Sequence, residues 1–164
     1  ARSRFLAERQ ASAGRRAQRL DLLTTLETTL ERLRQASEPV SDLESALHHA
    51  SSEAPQIWES FGAPQDAEGR RWEQQFQELC QNIQEQQRVL QRNQSRAVHL
   101  RSALRKAEGL LRQSSEVSEA ELKKLRQHWE SLERPESATL AADLQGQFDA
   151  LLDKLRARLQ RQGQ

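Results

Sequence analysis

Tyrosine and methionine are absent from this chain, cysteine occurs once, proline four times and glycine six times. Strand-and-turn architectures draw on tyrosine, glycine and proline, so their scarcity argues against β structure and leaves helix as the expected state almost throughout. The single cysteine, Cys80, excludes an internal disulfide and fits a reducing compartment. Apolar residues make up 35% of the chain, below the roughly 45–50% of ordinary globular domains even after allowing for glycine. Thin helical bundles have this composition, because each helix buries one stripe and shows the rest to water. No apolar run approaches the ~18 residues that span a bilayer, and no signal-peptide pattern opens the chain, so no direct membrane insertion is expected. The chain begins at Ala1 without a methionine, as a segment excised from a longer protein would.

Charge is plentiful, at 30% of residues, and nearly balanced, with a net of +1. It is unevenly spread: residues 1–20 carry +5, residues 21–80 carry −8 and residues 81–164 carry +4. Nucleic acid demands a concentrated basic face, and only the first twenty residues approach one, so no nucleic-acid partner is expected. Within them Arg15, Arg16 and Arg19 form a candidate basic docking arm for acidic protein or tubulin tails.

Groups that could carry chemistry are few. His48 and His49 are adjacent and point to different sides of a helix, while His99 and His128 stand apart. No pair of histidines at i and i+4, no cysteine cluster and no glycine-rich phosphate loop occurs. Cys80 sits beside a helical stripe, where a buried or half-buried thiol is inert. Asn93-Gln94-Ser95 matches a glycosylation sequon by letters alone. The expectation is a non-enzymatic protein with no cofactor and no metal.

The longest pattern runs from Trp72 to Leu111. Alternating steps of four and three pick out Trp72, Phe76, Leu79, Ile83, Gln86, Leu90, Asn93, Ala97, Leu100, Leu104, Ala107 and Leu111, one face of a single helix about 60 Å long. A helix of that length rarely crosses one compact domain, so its halves are expected to serve two bundles. The stripe turns polar at Gln86 and Asn93, where bending should be easiest.

The chain also repeats itself. At an offset of 78, Leu22, Leu26, Leu33, Arg34, Gln35, Ser37 and Glu38 fall on Leu100, Leu104, Leu111, Arg112, Gln113, Ser115 and Glu116. At 71, Trp58-Glu59-Ser60 and Pro64 fall on Trp129-Glu130-Ser131 and Pro135; at 72, Phe76 and Leu79 fall on Phe148 and Leu151. The drop from 78 to 71 is one heptad, which shortens a helix by about two turns and keeps its buried face in phase. The further one-residue step lies between Pro64 and Phe76, or between Pro135 and Phe148, where a loop is expected to absorb it.

Each unit then reads as three helices. In the first, helix A ends near Gln35, and helix B carries Val40, Leu43, Leu47, Ala50, Ala54, Ile57 and Phe61, interrupted at Ser51–Ala54 by Pro55. Gly62-Ala63-Pro64 turns the chain, and Asp66 caps helix C. In the second, Ser118 and Glu121 form a capping box, Leu122, Leu125, Trp129 and Leu132 line helix B, and Ser137 caps a helix C bearing Leu144, Phe148, Leu151, Leu155 and Leu159. Residues 1–20 read as the tail of a preceding helix C running into helix A, with Phe5 opposite Ile83; residues 21–95 form the first repeat and 96–164 the second. Trp58, Trp72 and Trp129 lie on or beside the stripes and are expected to pack between helices with Phe76, Leu79, Ile83, Phe148 and Leu151.

Three helices per unit, the last running unbroken into the first of the next, resemble the spectrin-repeat superfamily, and the Gln- and Arg-rich texture around Phe76-Gln77-Glu78-Leu79-Cys80 is similar to repeats of plakin or nesprin cytolinkers. The units depart from that family in length, 71 to 78 residues against a little over a hundred, and in carrying Trp58 and Trp129 in helix B. The resemblance implies an all-α fold of two tandem three-helix bundles sharing a long helix. It also implies a cytoplasmic, cytoskeleton-associated rod or scaffold segment whose partners are other proteins, monomeric or weakly dimeric as a fragment. A dimeric coiled-coil tether and an exchangeable lipid-binding amphipathic bundle are the alternatives.

Overall fold

A computed structural model of the chain describes residues 2–163; for residues 2, 3, 5, 8, 11 and 12 it describes the backbone alone, so the expected match of Phe5 with Ile83 lies outside the described side chains. All regular structure among the described residues is helical. Helix α1 spans Arg2–Gln35 without interruption. The following segment is broken into a 3-10 turn at Ser41–Leu43, α2 at Glu44–His48, a π-helical turn at His49–Glu53 and α3 at Ala54–Ser60. Helix α4 spans Ala67–Arg112, α5 Glu119–Ser131 and α6 Ala138–Gln162. The chain divides into two compact units, Ala1–Arg88 and Val89–Gln164, with α4 contributing to both.

Pro55 explains the broken segment of the first unit. A proline has no amide hydrogen and its ring crowds the carbonyl four residues back, here that of Ser51. The wider π turn relieves this: the amide of Ala54 bonds to the carbonyl of His49, five residues back. That turn also consumes more residues than an α turn, so the side chains beyond it lag in phase. The buried row therefore passes from Leu43 and Ala50 through Ala54 to Trp58, while Ile57, expected on the stripe, is 40% exposed, and so is Val40 at the segment's start. With them Leu23, Leu26, Leu30 and Leu33 of α1 and Phe76, Leu79 and Ile83 of α4 supply the buried apolar residues of this unit.

In the second unit Ala97, Leu100, Ala103, Leu104 and Ala107 of α4, Val117, Leu122, Leu125 and Trp129 from α5 and its approach, and Leu140, Leu144, Phe148, Leu152 and Leu155 of α6 form one buried cluster. Leu151 stands half-buried at its edge, and Leu152 takes the interior position. The steps 144, 148, 152 and 155 average about 3.7 residues, closer to the 3.6-residue period of a straight helix than to the 3.5 of a strict heptad, so Leu152 rather than Leu151 completes the row.

Both caps form. Asp66 Oδ1 accepts the amide of Gly69 at 2.7 Å, and Ser137 Oγ accepts that of Leu140 at 3.3 Å. Ser118 Oγ accepts the amide of Glu121 at 3.1 Å, and its hydroxyl in turn lies 3.3 Å from the Glu121 carboxylate, a variant of the capping box in which the acid meets the capping hydroxyl.

Candidate functional site

The histidines are dispersed, and among the described residues no group of three or more His, Cys, Asp or Glu could hold a metal ion. His49 Nδ1 lies 2.9 Å from a Glu53 carboxylate oxygen, and this hydrogen bond is the main cause holding Glu53 below the usual carboxylate range. Cys80 is half-buried and its thiol is pushed up by that burial, so it stays protonated and weakly nucleophilic.

What the sequence repeats, the structure turns into two tryptophan corners. The Trp58 ring stacks on Phe76 with centroids 4.5 Å apart and planes 1° from parallel; Trp129 stacks on Phe148 at 4.2 Å and 4°. The indole Nε1–H of Trp58 donates to Glu73 Oε2, and that of Trp129 donates to Gln145 Oε1 at 3.0 Å. The hydroxyl of Ser60 donates to the Ile57 carbonyl, and that of Ser131 to the His128 carbonyl. Each corner thus satisfies its one buried indole donor, as a desolvated N–H requires.

The one-residue step in the duplication does not fall in the loop. The connections Phe61–Asp66 and Leu132–Ser137 are equal in length, and the caps keep the offset of 71. Trp58 reaches 15 residues to Glu73, whereas Trp129 reaches 16 to Gln145. The extra residue lies inside the first turns of α6, where it turns the helix by about 100° relative to its cap.

Arginines of the preceding helix hold each connection. In the first unit Arg19 Nη2 donates to the Phe61 carbonyl at 2.8 Å with its guanidinium over the Phe61 ring, and Arg16 pairs with Glu68 at 2.7 Å while covering the half-buried Trp72. Two residues expected to form a docking arm with Arg15 are thereby engaged within their own unit, on a helix that shows no break at residue 20; Arg15 is exposed. The reason is local: aromatic faces and an acidic first turn of α4 lie within reach of the basic stretch.

In the second unit Arg96 donates to the Arg134 carbonyl at 3.2 Å and pairs with Glu133 at 3.0 Å, and Arg92 pairs with Glu136 at 2.9 Å. Asn93, expected to mark a weak point, is 1% exposed, and its Oδ1 accepts the backbone amide of Glu136 at 2.7 Å. A polar residue on the stripe here ties the α5–α6 connection to α4, because the amide after Pro135 would otherwise lack a partner on that side.

At the opposite end of the second unit lies a clamp with no periodic signal. Arg158 Nη1 donates to the carbonyls of Leu110 and Leu111 at 2.9 and 2.8 Å, and Nη2 to those of Gln113 and Ser115 at 2.7 and 2.8 Å. The Gln162 amide accepts from Val117 N at 2.9 Å and donates to Val117 O at 2.7 Å. A guanidinium at the C-terminal end of α4 satisfies carbonyls that have no helical partner and faces the negative end of the helix dipole. Arg158→Ala is expected to lower the stability of the second unit by about 3 kcal/mol, and Arg158→Lys to recover less than half, since an ammonium lacks the planar fork. Urea unfolding with an unchanged m-value checks both.

No family model, no curated protein and no solved structure matches the chain.

Proposed function

We propose that this chain is a non-enzymatic rod segment of a cytoskeletal linker, in which two spectrin-like three-helix units share α4 and act as a spacer and protein docking scaffold. The observation that carries the reading is the recurrence of one corner in each of the two units that α4 enters. A stacked Trp–Phe pair, a satisfied indole, a serine hydroxyl on the carbonyl three residues back and an arginine-held connection recur at offsets of 71 to 77. Such duplication across a continuous helix fits a repeating array. The apolar stripe residues Phe76, Leu79, Ile83, Leu90, Ala97, Leu100, Leu104 and Ala107 are buried within the single chain, which leaves no apolar seam along α4 for a second chain and speaks against the dimeric tether. No helix among the described residues is long and apolar enough to cross a membrane.

The reading predicts a monomer of high helicity whose melting curve does not shift across micromolar concentrations and which stays in the bottom fraction when neutral vesicles float. Sedimentation equilibrium with vesicle flotation checks this. A dimer whose melting point rises with concentration, or tight binding to neutral vesicles, overturns it in favour of one of the alternatives.

A further inference from the structure

Beside each tryptophan corner lies an open surface cavity, and the two equivalent cavities are lined differently. In the second unit a cavity of about 290 Å³ is lined by Arg126, Trp129, Glu130, Arg134, Gln145 and Phe148, among others, with three arginines against three carboxylates overall. Arg134 is the filler: its guanidinium lies over the Trp129 ring at 5.0 Å and donates to the carbonyls of Trp129 and Leu132 at 3.0 Å each. In the first unit the offsets that pair the tryptophans and the phenylalanines place Pro55, Trp58, Glu59, Ala63, Glu73 and Phe76 around the corresponding cavity, which is larger, about 430 Å³. Ala63 stands where Arg134 stands and Pro55 where Arg126 stands, so the cavity keeps two carboxylates, those of Glu59 and Glu73, and has no cation in its lining.

Both indoles are buried, Trp58 at 6% exposed and Trp129 at 1%, so the two corners differ in what lines the space beside the ring rather than in exposure of the ring. Phe61 meets Trp58 edge-on at 5.9 Å from outside this lining, and Arg19 lies over Phe61 rather than Trp58.

We propose that the cavity beside Trp58 is a receptor for an arginine side chain presented by a basic segment of a partner protein. The guanidinium takes the place that Arg134 fills in the sister unit, against the part of the indole that lines the cavity, with the carboxylates of Glu59 and of Glu73, which already accepts from the Trp58 indole and the Gln77 amide, supplying the negative charge. Arginine is selected over lysine because its planar, weakly hydrated cation stacks on an aromatic face and pairs with carboxylates through a rigid fork. The site rests on the duplicated corner and stands whether or not the chain is a rod segment.

The test uses the full chain and follows the indole N–H resonances of Trp58 and Trp129 during titration with acetyl-tetra-arginine amide or acetyl-tetra-lysine amide. The expected result is a saturable shift of Trp58 with Trp129 unmoved, and binding of the arginine peptide at least about tenfold tighter than the lysine peptide. Ala63→Arg, which supplies the missing filler from within, should abolish that shift while raising the melting point of the first unit. Glu59→Gln with Glu73→Gln, the latter giving the residue found at Gln145 and keeping an acceptor for the indole, should weaken binding about tenfold with helicity unchanged; this pair decides the matter if Ala63→Arg does not fold. Equal affinity for the two peptides, an equal response of Trp129, or full binding by the double variant overturns the proposal. Self-association that Ala63→Arg abolishes, without any response to the peptide, assigns the arginine to a second copy and overturns the foreign segment.

Discussion

Trp129→Ala is expected to unfold the second unit at temperatures where the first remains helical. Trp129 is fully enclosed, stacked on Phe148, covered by Arg134 and bonded to Gln145. Truncating a buried aromatic to alanine costs about 3–5 kcal/mol through lost transfer energy and the cavity left behind, and the lost stacking adds about 0.5–1.5 kcal/mol. A folded unit of this size holds only about 4–11 kcal/mol in total. The variant should therefore lose about 20 °C or more in the melting point of that unit. Trp129→Phe keeps an aromatic face for Phe148 and Arg134 but strands Gln145 at the margin, and should lose about 1–2 kcal/mol. Circular dichroism, with Trp58 and Trp72 fluorescence reporting on the first unit, separates the two transitions. Loss of both units in one step would mean that they fold as a single body; loss of neither would mean that the stack contributes little.

The second large effect is expected from Gln87→Pro. Gln87 lies inside α4, next to the boundary between the units at Arg88 and Val89. Proline there removes the amide that bonds to the carbonyl of Ile83 and drives its ring against that carbonyl, at about 3 kcal/mol or more. Ile83 is itself buried in the first unit, so the damage falls on the helix that the proposed rod shares between its repeats. If α4 carries coupling, calorimetry should show the transitions of the two units lying closer together in the parent chain than in Gln87→Pro, with Gln87→Ala behaving as the parent. An unchanged separation of the transitions in the proline variant would remove the shared helix from the mechanism. Bending at this point is not made easy by Asn93, because that side chain is spent on the amide of Glu136; the half-buried Gln86 remains the polar position of the stripe nearest the boundary.

The stripe from Trp72 to Leu111 was legible because burial on a helix follows a fixed angular step, and its ten apolar and small positions need only face inward. Phe76, Leu79, Ile83, Leu90, Ala97, Leu100, Leu104 and Ala107 do so. The paired Trp58 and Trp129 were legible as a duplication, since identical short strings at one offset demand identical surroundings. Ile57 and Leu151 were misplaced by one residue each for different reasons. A π turn before Ala54 shifts the phase of everything after it, and α6 follows its own 3.6 period instead of the heptad. Arg16 and Arg19 look like a solvated basic run in the sequence, and only the positions of Glu68, Trp72 and Phe61 in space show what they hold.

Helix content, the ends of α4 through α6, the cap residues and the existence of two related units were set by the sequence alone, because propensity, capping and periodicity act over a few residues of chain. Which side chain fills the space beside each tryptophan was decided by the tertiary structure. So were the closing of α4 by Arg158 and the use of Asn93 as a hydrogen-bond acceptor. The last two depend on groups about 40 or more residues apart meeting across packed helices, and no local rule of the chain encodes that distance; Arg134 is only five residues from Trp129, and the turn after α5 brings it over the ring.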